Sequence, residues 1–318
     1  RLREIKPEFV LNLNQKSPFA TPIILASKKT NIENGTIIIS WDNIPKARLI
    51  SRYDNYFVWS ELMKKELCFL YPEIRPSEVK IVGTPQFEFY YNKQFKLTKE
   101  KFYNKYGLNI NKKTICFSGN DIGSPYEANY FQDICEEIYK IDEKERPQIL
   151  FRKCPVDLTS RFDDVLKKYQ DIAIIINPDW RIDKNKGEAF NSIYPSFDDI
   201  YLLVNTVAHS DLVINLGSTM AHDFAVLNKP CLYLNYNPVK NSRFKVEDVF
   251  SFQHFRSFDG LNAVEFINSK EEIKTKILEA IEIPDKSGKD RKKWLQKIAL
   301  HPLQDNSKLL LNTILDNS

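Results

Sequence analysis

The chain alternates short apolar runs rich in β-branched residues with longer segments whose apolar residues recur at helical spacing. The apolar runs predict eight strands, at 36–39, 56–59, 79–82, 114–117, 148–151, 173–176, 212–215 and 231–234. The helical spacing predicts helices at 22–29, 61–69, 125–141, 159–169, 197–209, 219–227, 273–281, 290–298 and 307–315. Strands that alternate with helices are typical of parallel sheets covered by helices. The sequence therefore predicts an α/β fold with no strand after Asn235.

An irregular stretch, "EFYYNKQFKLTKE" from Glu88 to Glu100, separates the first three predicted strands from the other five. Its lack of a clean period indicates a linker between two units, 1–95 and 96–318, with the closing helices in the second. The five later strands are enough for one open sheet, whereas three are few for a separate domain. Since the chain also starts at Arg1 without a methionine, we expect that the N-terminal unit is incomplete.

Composition excludes several classes of protein. With 318 residues, of which 42% are apolar, the chain is an ordinary globular protein. Its net charge of +4 is spread along the chain with no basic block long enough to bind nucleic acid, so no nucleic-acid partner is expected. The five cysteines are scattered and lack CxxC spacing, which argues against disulfides or a zinc site and favours the cytoplasm. No apolar run approaches the roughly 20 residues needed to cross a bilayer.

The segment "DLVINLGSTMAHDFAVLNKPCLYLN", from Asp211 to Asn235, contains a glycine turn between a predicted strand and a predicted helix. After Gly217, Ser218 or Thr219 suits the N-cap, and the remaining amides at a helix start attract anions. Such turns lie at the carboxyl edge of a parallel sheet, where open α/β folds bind ligands. The turn has two interpretations, a phosphate site and a simple helix cap.

Two further predicted strands end in small or basic residues. "TICFSGND" leads into Gly119 and Asn120, and "ILFRKCP" leads into Arg152 and Lys153. Adjacent arginine and lysine can neutralise a pyrophosphate, although such a pair alone is usually solvated. Because parallel strands end at the same edge of a sheet, the three turns together predict a cradle for a phosphorylated nucleotide.

These segments resemble GT-B glycosyltransferases, in particular bacterial surface-polysaccharide enzymes and CDP-glycerol glycerophosphotransferases. "HSDLVINLGSTMAHDFAVLNKPCLYLNYN" is similar to their donor-binding segment. "SWDNIPKARLISRYDNYFVWSELMKKEL" followed by "VKIVGTPQFEFY" is similar to the end of the N-terminal domain of capsule and lipopolysaccharide transferases. The resemblance implies two Rossmann-like doubly wound domains that face each other across a cleft, with the donor in the C-terminal domain.

The resemblance also implies that Asp223 binds the ribose or the sugar of the donor. The alternative is that Asp223 is an aspartate on the helix surface. Relatives that use CMP or CDP donors often carry a His-Pro pair where this chain has Cys154-Pro155, which leaves the nucleotide open. The leaving phosphate is expected to contact a set of backbone and side-chain donors: Gly119, Arg152, Lys153, Ser218 and Thr219. The sequence has no HxH, DxD or cysteine cluster, so no metal or other cofactor is expected.

An inverting transferase needs a general base near the acceptor hydroxyl. All histidines lie in the C-terminal half, so we expect a carboxylate from the first ninety residues. Asp42 in "SWDN" is the first candidate and Glu88 in "TPQFEF" the second. The alternative for Asp42 is a structural Asx-turn. A retaining enzyme can do without such a base, and the sequence does not decide between the two.

We therefore expect a glycosyltransferase of bacterial surface-polysaccharide assembly that moves a sugar from a nucleotide-sugar donor to a glycan or lipid-linked acceptor. The alternatives are a CDP-linked polyol-phosphate transferase and a non-catalytic nucleotide- or glycan-binding module. A UDP-sugar 2-epimerase shares the fold, but its acidic and histidine set is not matched here. The basic segment "KSGKDRKKW" is interpreted first as a solvated helix face and second as a peripheral contact with the cytoplasmic membrane.

Overall fold

The computed structural model describes residues 1–46, 49–183 and 193–316. The chain divides into two compact units. The first comprises Arg1–Tyr91, Gln253–Asp259 and Lys293–Ser318, and the second comprises Asn92–Phe252 and Gly260–Lys292. None of the helices in the described ranges combines the length and the apolar composition needed to cross a bilayer.

The first unit contains a four-stranded parallel sheet whose strands follow one another in chain order. The strands are β1 (Phe9–Asn12), β2 (Glu33–Ile37), β3 (Asn55–Val58) and β4 (Val79–Ile81). Every residue of β3 is buried, as expected for an inner strand of a parallel sheet covered on both faces. The helices before the linker are α1 (Leu2–Ile5), α2 (Thr21–Lys29), α3 (Asn43–Lys46) and α4 (Glu61–Leu70).

The second unit contains a six-stranded parallel sheet. Its strands are β5 (Thr114–Ser118), β6 (Gln148–Arg152), β7 (Ala173–Ile175), β10 (Leu212–Asn215), β11 (Cys231–Leu234) and β12 (Glu265–Ile267). A separate antiparallel pair is formed by β8 (Trp180–Ile182) and β9 (Ile193–Pro195). The helices from the linker onward are α5 (Lys99–Tyr106), α6 (Glu127–Tyr139), α7 (Asp163–Lys168), α8 (Phe197–His209), α9 (Met220–Val226), α10 (Val246–Phe250), α11 (Ile273–Glu282), α12 (Arg291–Ile298) and α13 (Asn306–Leu315).

The order of the second sheet, β12-β11-β10-β5-β6-β7, reverses direction between β5 and β10. The chain builds outward from β5 through β6 to β7, returns to the other side of β5 as β10, and builds outward again to β12. This is the doubly wound Rossmann order, and such sheets bind ligands at the carboxyl ends of the two strands where the order reverses. The fold therefore predicts a ligand site at the carboxyl ends of β5 and β10.

The core of the second unit lies between this sheet and its helices. Phe117 on β5 stacks on Phe151 of β6 with ring centroids 5.7 Å apart. Phe131 of α6 packs against both rings, at 4.8 and 4.9 Å. Phe162, just before α7, adds an edge contact with Phe151 at 4.8 Å. These aromatic contacts fix β5 and β6 against α6 and so hold the ends of both strands in place.

All eight predicted strands are present, and the predicted α/β class with two parallel sheets is confirmed. The sequence did not predict β1, β8, β9 or β12, and the prediction that strands end at Asn235 is wrong. β12 has only three residues and lies at a sheet edge, so its apolar signal is short. The first sheet accordingly has four strands where three were predicted.

The two units also differ from the predicted division into 1–95 and 96–318. The closing segment Lys293–Ser318 belongs to the first unit, not the second. The Leu300 amide donates to the Trp59 carbonyl at 2.8 Å, and the buried Trp294 donates through Nε1 to Ser257 Oγ at 2.8 Å. Helical spacing shows that a helix has an apolar face but not which sheet that face covers, so the sequence placed these helices wrongly.

Lys229, in the turn before β11, provides a test of how the second unit is held together. Its Nζ donates to the carbonyls of Val207 at 2.8 Å, Ala208 at 2.6 Å and Ser210, at the end of α8. We expect Lys229→Met to lower the free energy of unfolding by about 2 kcal/mol, because carbonyls at a helix end lose their donor. Urea denaturation measures this change.

Lys113→Met is the matched control, because Lys113 forms an exposed ion pair with Asp211 at 3.1 Å. Such surface pairs contribute under about 1 kcal/mol. Equal destabilisation by the two substitutions would show that the carbonyl contacts of Lys229 are not what stabilises the end of α8.

Candidate functional site

The loops that follow β5 and β10 meet at the reversal of strand order in the second unit. Gly119 extends β5, and its amide donates to the Arg152 carbonyl at 2.9 Å. Asn120 then reaches across, and its Nδ2 donates to the Leu216 carbonyl at 2.5 Å. The structure therefore brings the predicted residues Gly119 and Asn120 next to the turn at Gly217.

The turn after β10 has the conformation that the sequence predicted for a strand-to-helix junction. Gly217 has φ +71°, in the left-handed region that strains residues with a side chain. The Ser218 amide donates to Asn215 Oδ1 at 2.8 Å, and the Met220 amide donates to Ser218 Oγ at 3.4 Å. Thr219 occupies the N-cap position of α9, but its side chain makes no capping bond. Ser218 is therefore the hydroxyl that caps the helix start.

The amides of this turn are potential ligand donors. Neither the Gly217 amide nor the Thr219 amide meets an acceptor among the residues that the structure describes. Thr219 is exposed, and Gly217 and Ser218 are partly exposed. Two amides and two hydroxyls thus lie close together at the accessible edge of the sheet, where they can bind an oxygen-rich anion.

Arg152 does not present a free charge at this edge. Its Nη2 lies 2.9 and 2.8 Å from the two carboxylate oxygens of Asp199, and the arginine is only 5% exposed. Asp199 also accepts from the Asp179 amide at 3.0 Å and from Trp180 Nε1 at 2.6 Å. The charge of Arg152 is therefore neutralised inside the protein. The residues next to Arg152 in the sequence did not reveal this pairing with Asp199.

Lys153 is more accessible, with 22% of its side chain exposed. Its Nζ donates to the Thr159 carbonyl and lies 3.9 Å from Asp157. The sequence predicted that Arg152 and Lys153 both present their charge to a ligand, and the structure agrees for only one of them. Lys153 alone keeps an accessible charge, whereas Arg152 anchors β6 to α8 through Asp199.

Asp223 lies on α9, one turn beyond the glycine turn, and is buried. The alternative interpretation of Asp223 as a surface aspartate is therefore wrong. The neighbouring His222 is also buried, so α9 carries two polar side chains into the interior of the second unit.

Sequence reasoning missed Glu127, which stands at the first position of α6. Its carboxylate is fully buried, and both of its oxygens accept from the Asn120 amide at 2.8 Å. Burial raises the pKa of Glu127 to about 8, and the Asn120 amide and the charge of Arg161 limit that rise. Acidic residues are common in the first turn of any helix, so no local signal distinguished this one.

In the first unit, Asp42 accepts from Ser40 Oγ at 2.5 Å and from Lys46 Nζ at 2.6 Å. Burial alone would raise the pKa of Asp42, but the hydrogen bond and charge of Lys46, with Ser40, hold that pKa below its ordinary value. Asp42 is therefore ionised at neutral pH and is a weaker base than an unpaired aspartate.

His254 lies in the same unit as Asp42, although it comes late in the chain. It is 6% exposed, and its ring centroid is 5.2 Å from that of Trp41 in an edge-on contact. Burial, reinforced by the charge of Lys46, lowers the pKa of His254 to about 4. The first unit therefore also contains a histidine from the C-terminal half of the chain, because segment Gln253–Asp259 returns to it.

Glu88, the second predicted base, has a structural role. Its two carboxylate oxygens accept from the Ser307 amide and from Ser307 Oγ, the latter at 2.7 Å. Ser307 lies in the first turn of α13, where amides lack partners within the helix. Glu88 therefore caps the last helix, and both of its carboxylate oxygens have a partner there.

No protein-family model and no curated protein sequence matches the chain. Solved structures share its fold. The UDP-GlcNAc 2-epimerase from Neisseria meningitidis bound to UDP-GlcNAc is 15% identical, with a TM-score of 0.59, over 99% of this chain and 78% of that one. The UDP-GlcNAc 2-epimerase from Methanocaldococcus jannaschii is 15% identical, with a TM-score of 0.60, over 100% of this chain and 79% of that one.

A variant of the wall teichoic acid polymerase TagF is also similar, with 10% identity and a TM-score of 0.59 over 98% of this chain and 73% of that one. At these identities the similarities establish the fold alone. The chain has a GT-B-like fold, and the predicted resemblance to the GT-B superfamily is confirmed at that level.

His254 makes a pH-dependent contribution to stability that can be measured. Because its pKa in the folded state is depressed, its contribution is fully present above the unfolded-state value near 6.5 and is lost as the pH falls toward 4. We expect the free energy of unfolding to fall by on the order of 2 kcal/mol more in the wild type than in His254→Gln between pH 7 and pH 4.

Urea denaturation at several pH values measures how the free energy of unfolding of the wild type and of His254→Gln depends on pH. His301→Gln, in the exposed segment after α12, is the control. The control should follow the wild type. A His254→Gln slope that also equals that of the wild type would contradict the depressed pKa.

Proposed function

We propose that the chain is a glycosyltransferase that binds a nucleotide-sugar donor at the carboxyl edge of the second sheet. The observation that carries this proposal is the reversal of strand order between β5 and β10, where the loops at Asn120 and Gly217 adjoin. Open α/β sheets bind nucleotides at such a reversal. The GT-B-like fold supports an enzyme of nucleotide-sugar chemistry.

In this proposal the diphosphate of the donor contacts neutral groups. The Gly217 and Thr219 amides and the hydroxyls of Ser218 and Thr219 donate to phosphate oxygens, with Lys153 as the nearby partly exposed cation. Preoriented donors stabilise the charge that develops on a departing phosphate without reorganising during the reaction. Arg152 is assigned a supporting role, because Asp199 already neutralises it.

The acceptor is proposed to be a glycan or a lipid-linked sugar in the assembly of a bacterial surface polysaccharide such as capsule or lipopolysaccharide, with peripheral attachment to the membrane surface. Asp42 remains the proposed base. Its ionised carboxylate can accept a proton from an acceptor hydroxyl once that hydroxyl competes with Lys46 for it. No metal ion takes part in this scheme.

The similarity to UDP-GlcNAc 2-epimerases favours a second candidate, an epimerase that acts on a nucleotide sugar. The similarity to TagF favours a third, a polymerase of the wall teichoic acid type. Product analysis separates them. A glycosyltransferase adds a sugar to the acceptor and releases the nucleotide of its donor. A transferase of a polyol phosphate from a CDP-linked donor adds the polyol phosphate to the acceptor and releases CMP. An epimerase leaves the nucleotide sugar intact and changes only the configuration of its sugar.

The nucleotide site can be tested by measuring thermal stabilisation and affinity with CMP, CDP, UDP, GDP and ADP. A ligand that binds only the native state raises the melting temperature. We expect one of these nucleotides to stabilise the chain selectively and Ser218→Ala to weaken its binding roughly tenfold, as for the loss of one hydrogen bond to a charged ligand.

Ser210→Ala is the matched control, because Ser210 lies just before β10, at the opposite end of the strand from Ser218. The nucleotide affinity of Ser210→Ala should equal that of the wild type. If no nucleotide binds, the donor-site proposal is wrong, and a nucleotide that binds without any turnover indicates the non-catalytic binding module.

The proposed base is tested by Asp42→Asn in an assay of nucleotide release from the donor, with cell-envelope glycan or lipid extracts as the acceptor. We expect transfer to fall at least a hundredfold, the typical contribution of general base catalysis, while nucleotide affinity stays unchanged. Asp54→Asn in the same unit, which removes a carboxylate that accepts from Asn34, is the control and should transfer normally. Normal transfer by Asp42→Asn would eliminate this residue as the base.

A further inference from the structure

Arg161, which precedes α7, makes an unusual number of contacts with one loop. Its Nη2 donates to the carbonyls of Asn120 at 2.8 Å and Asp121 at 3.1 Å, and its Nη1 donates to the carbonyl of Ser124. All three carbonyls belong to the loop that joins β5 to α6. A single guanidinium therefore holds this loop over most of its length.

Arg161 also contacts two carboxyl groups whose side chains have no exposed surface. Its Nη2 lies 2.9 Å from Glu127, and its Nε lies 2.7 Å from Asp157. Asp157 in turn accepts from the amide and hydroxyl of Thr159, at 2.9 and 2.7 Å. The guanidinium plane is fixed between the two buried carboxyl groups, because each of these edges has a defined partner.

Such a network is not needed for stability alone. Taking charges out of water costs several kcal/mol per ion, and apolar side chains of similar volume often stabilise a fold as well or better. Arginine, however, can bind several carbonyls in a fixed geometry, which apolar groups cannot do. The network is therefore better explained by a need to hold the loop in one conformation.

The loop so held contains Asn120, whose backbone and side chain point to different partners. Glu127 binds its amide, Arg161 binds its carbonyl, and its Nδ2 spans the strand reversal to the Leu216 carbonyl at 2.5 Å. The next residue after Leu216 is Gly217, whose amide begins the proposed donor set. A chain of direct contacts thus links Arg161 to the turn at Gly217 through Asn120.

We propose that Arg161 is a positioning residue for the nucleotide site, which sets the distance between the loops after β5 and β10 through Asn120. This inference rests on the proposed function. Arg161 does not touch the nucleotide in this scheme. It acts by keeping the loop carbonyls turned toward itself, so that Asn120 maintains its contact with Leu216.

The test compares Arg161→Gln and Arg161→Lys with Arg146→Gln in the full chain. Arg146 is a matched control because it also donates to backbone carbonyls, those of Tyr139 and Ile141, at 3.0 to 3.2 Å. It lies between α6 and β6, at the opposite edge of the sheet from Asn120. The readouts are the free energy of unfolding, the affinity for the nucleotide that stabilises the wild type, and hydrogen exchange of residues 119–124.

We expect Arg161→Gln to weaken nucleotide binding at least tenfold and to speed exchange in residues 119–124. Arg161→Lys should recover part of the affinity, because it keeps the charge between Glu127 and Asp157 but not the set of carbonyl bonds. Arg146→Gln should lower stability yet keep the affinity within twofold and leave exchange in this loop unchanged.

Unchanged affinity in Arg161→Gln, or equal losses of affinity in Arg161→Gln and Arg146→Gln, would overturn the positioning role. Should Arg161→Gln fail to fold, the same criteria apply to Arg161→Lys. If the wild type binds none of CMP, CDP, UDP, GDP and ADP, both the proposed function and the role of Arg161 in nucleotide affinity are wrong. If the wild type binds a nucleotide and Arg161→Gln binds it equally well, only the role of Arg161 is wrong.

Discussion

The reversal of strand order between β5 and β10 is the constraint on which the candidate site depends. Each pair of parallel strands needs a crossover, and crossovers of one hand place the connections of β5 to β7 on one face of the sheet and those of β10 to β12 on the other. The loops that leave β5 and β10 therefore diverge and leave an opening between them. Here the Asn120 side chain spans that opening to Leu216, so the two loops are separate in chain connectivity yet joined by a hydrogen bond.

Charged side chains near this edge mostly bind one another and leave neutral donors facing outward. Arg152 pairs with Asp199, and Arg161 pairs with Glu127 and Asp157, all of them buried or nearly so. Removing one partner of such a pair leaves an uncompensated buried charge, so these residues hold strands and loops at a fixed geometry. The accessible groups at the turn after β10 are uncharged amides and hydroxyls. Unlike the arginines, they are not occupied by a neighbouring carboxylate, so they are available to bind phosphate oxygens.

The sequence was informative where the signal is local. A parallel strand buried on both faces is a run such as "TICFS" in β5, and all eight runs of this kind are strands. Residues directly after such strands lie at the sheet edge as predicted, so Gly119 and Asn120 lie next to the turn at Gly217. Pairings over long separations were not predictable: Asp199 lies 47 residues from Arg152, and His254 returns to the first unit from the second half of the chain. A periodic pattern shows which residues are buried but not which strand or helix they pack against.

The fold leaves the chemistry open, because epimerases and a polymerase share it with this chain. If the nucleotide edge is common to such enzymes, the reaction must be decided by groups elsewhere, and Asp42 in the first unit is the group to consider. Lys46 holds its pKa low, so the resting carboxylate is ionised but occupied. A hydroxyl that displaces the ammonium removes the interaction that lowers the pKa, and the carboxylate becomes more basic as the substrate binds. In the proposed transfer reaction, basicity that depends on a bound acceptor would favour transfer to that acceptor over loss of the sugar to water.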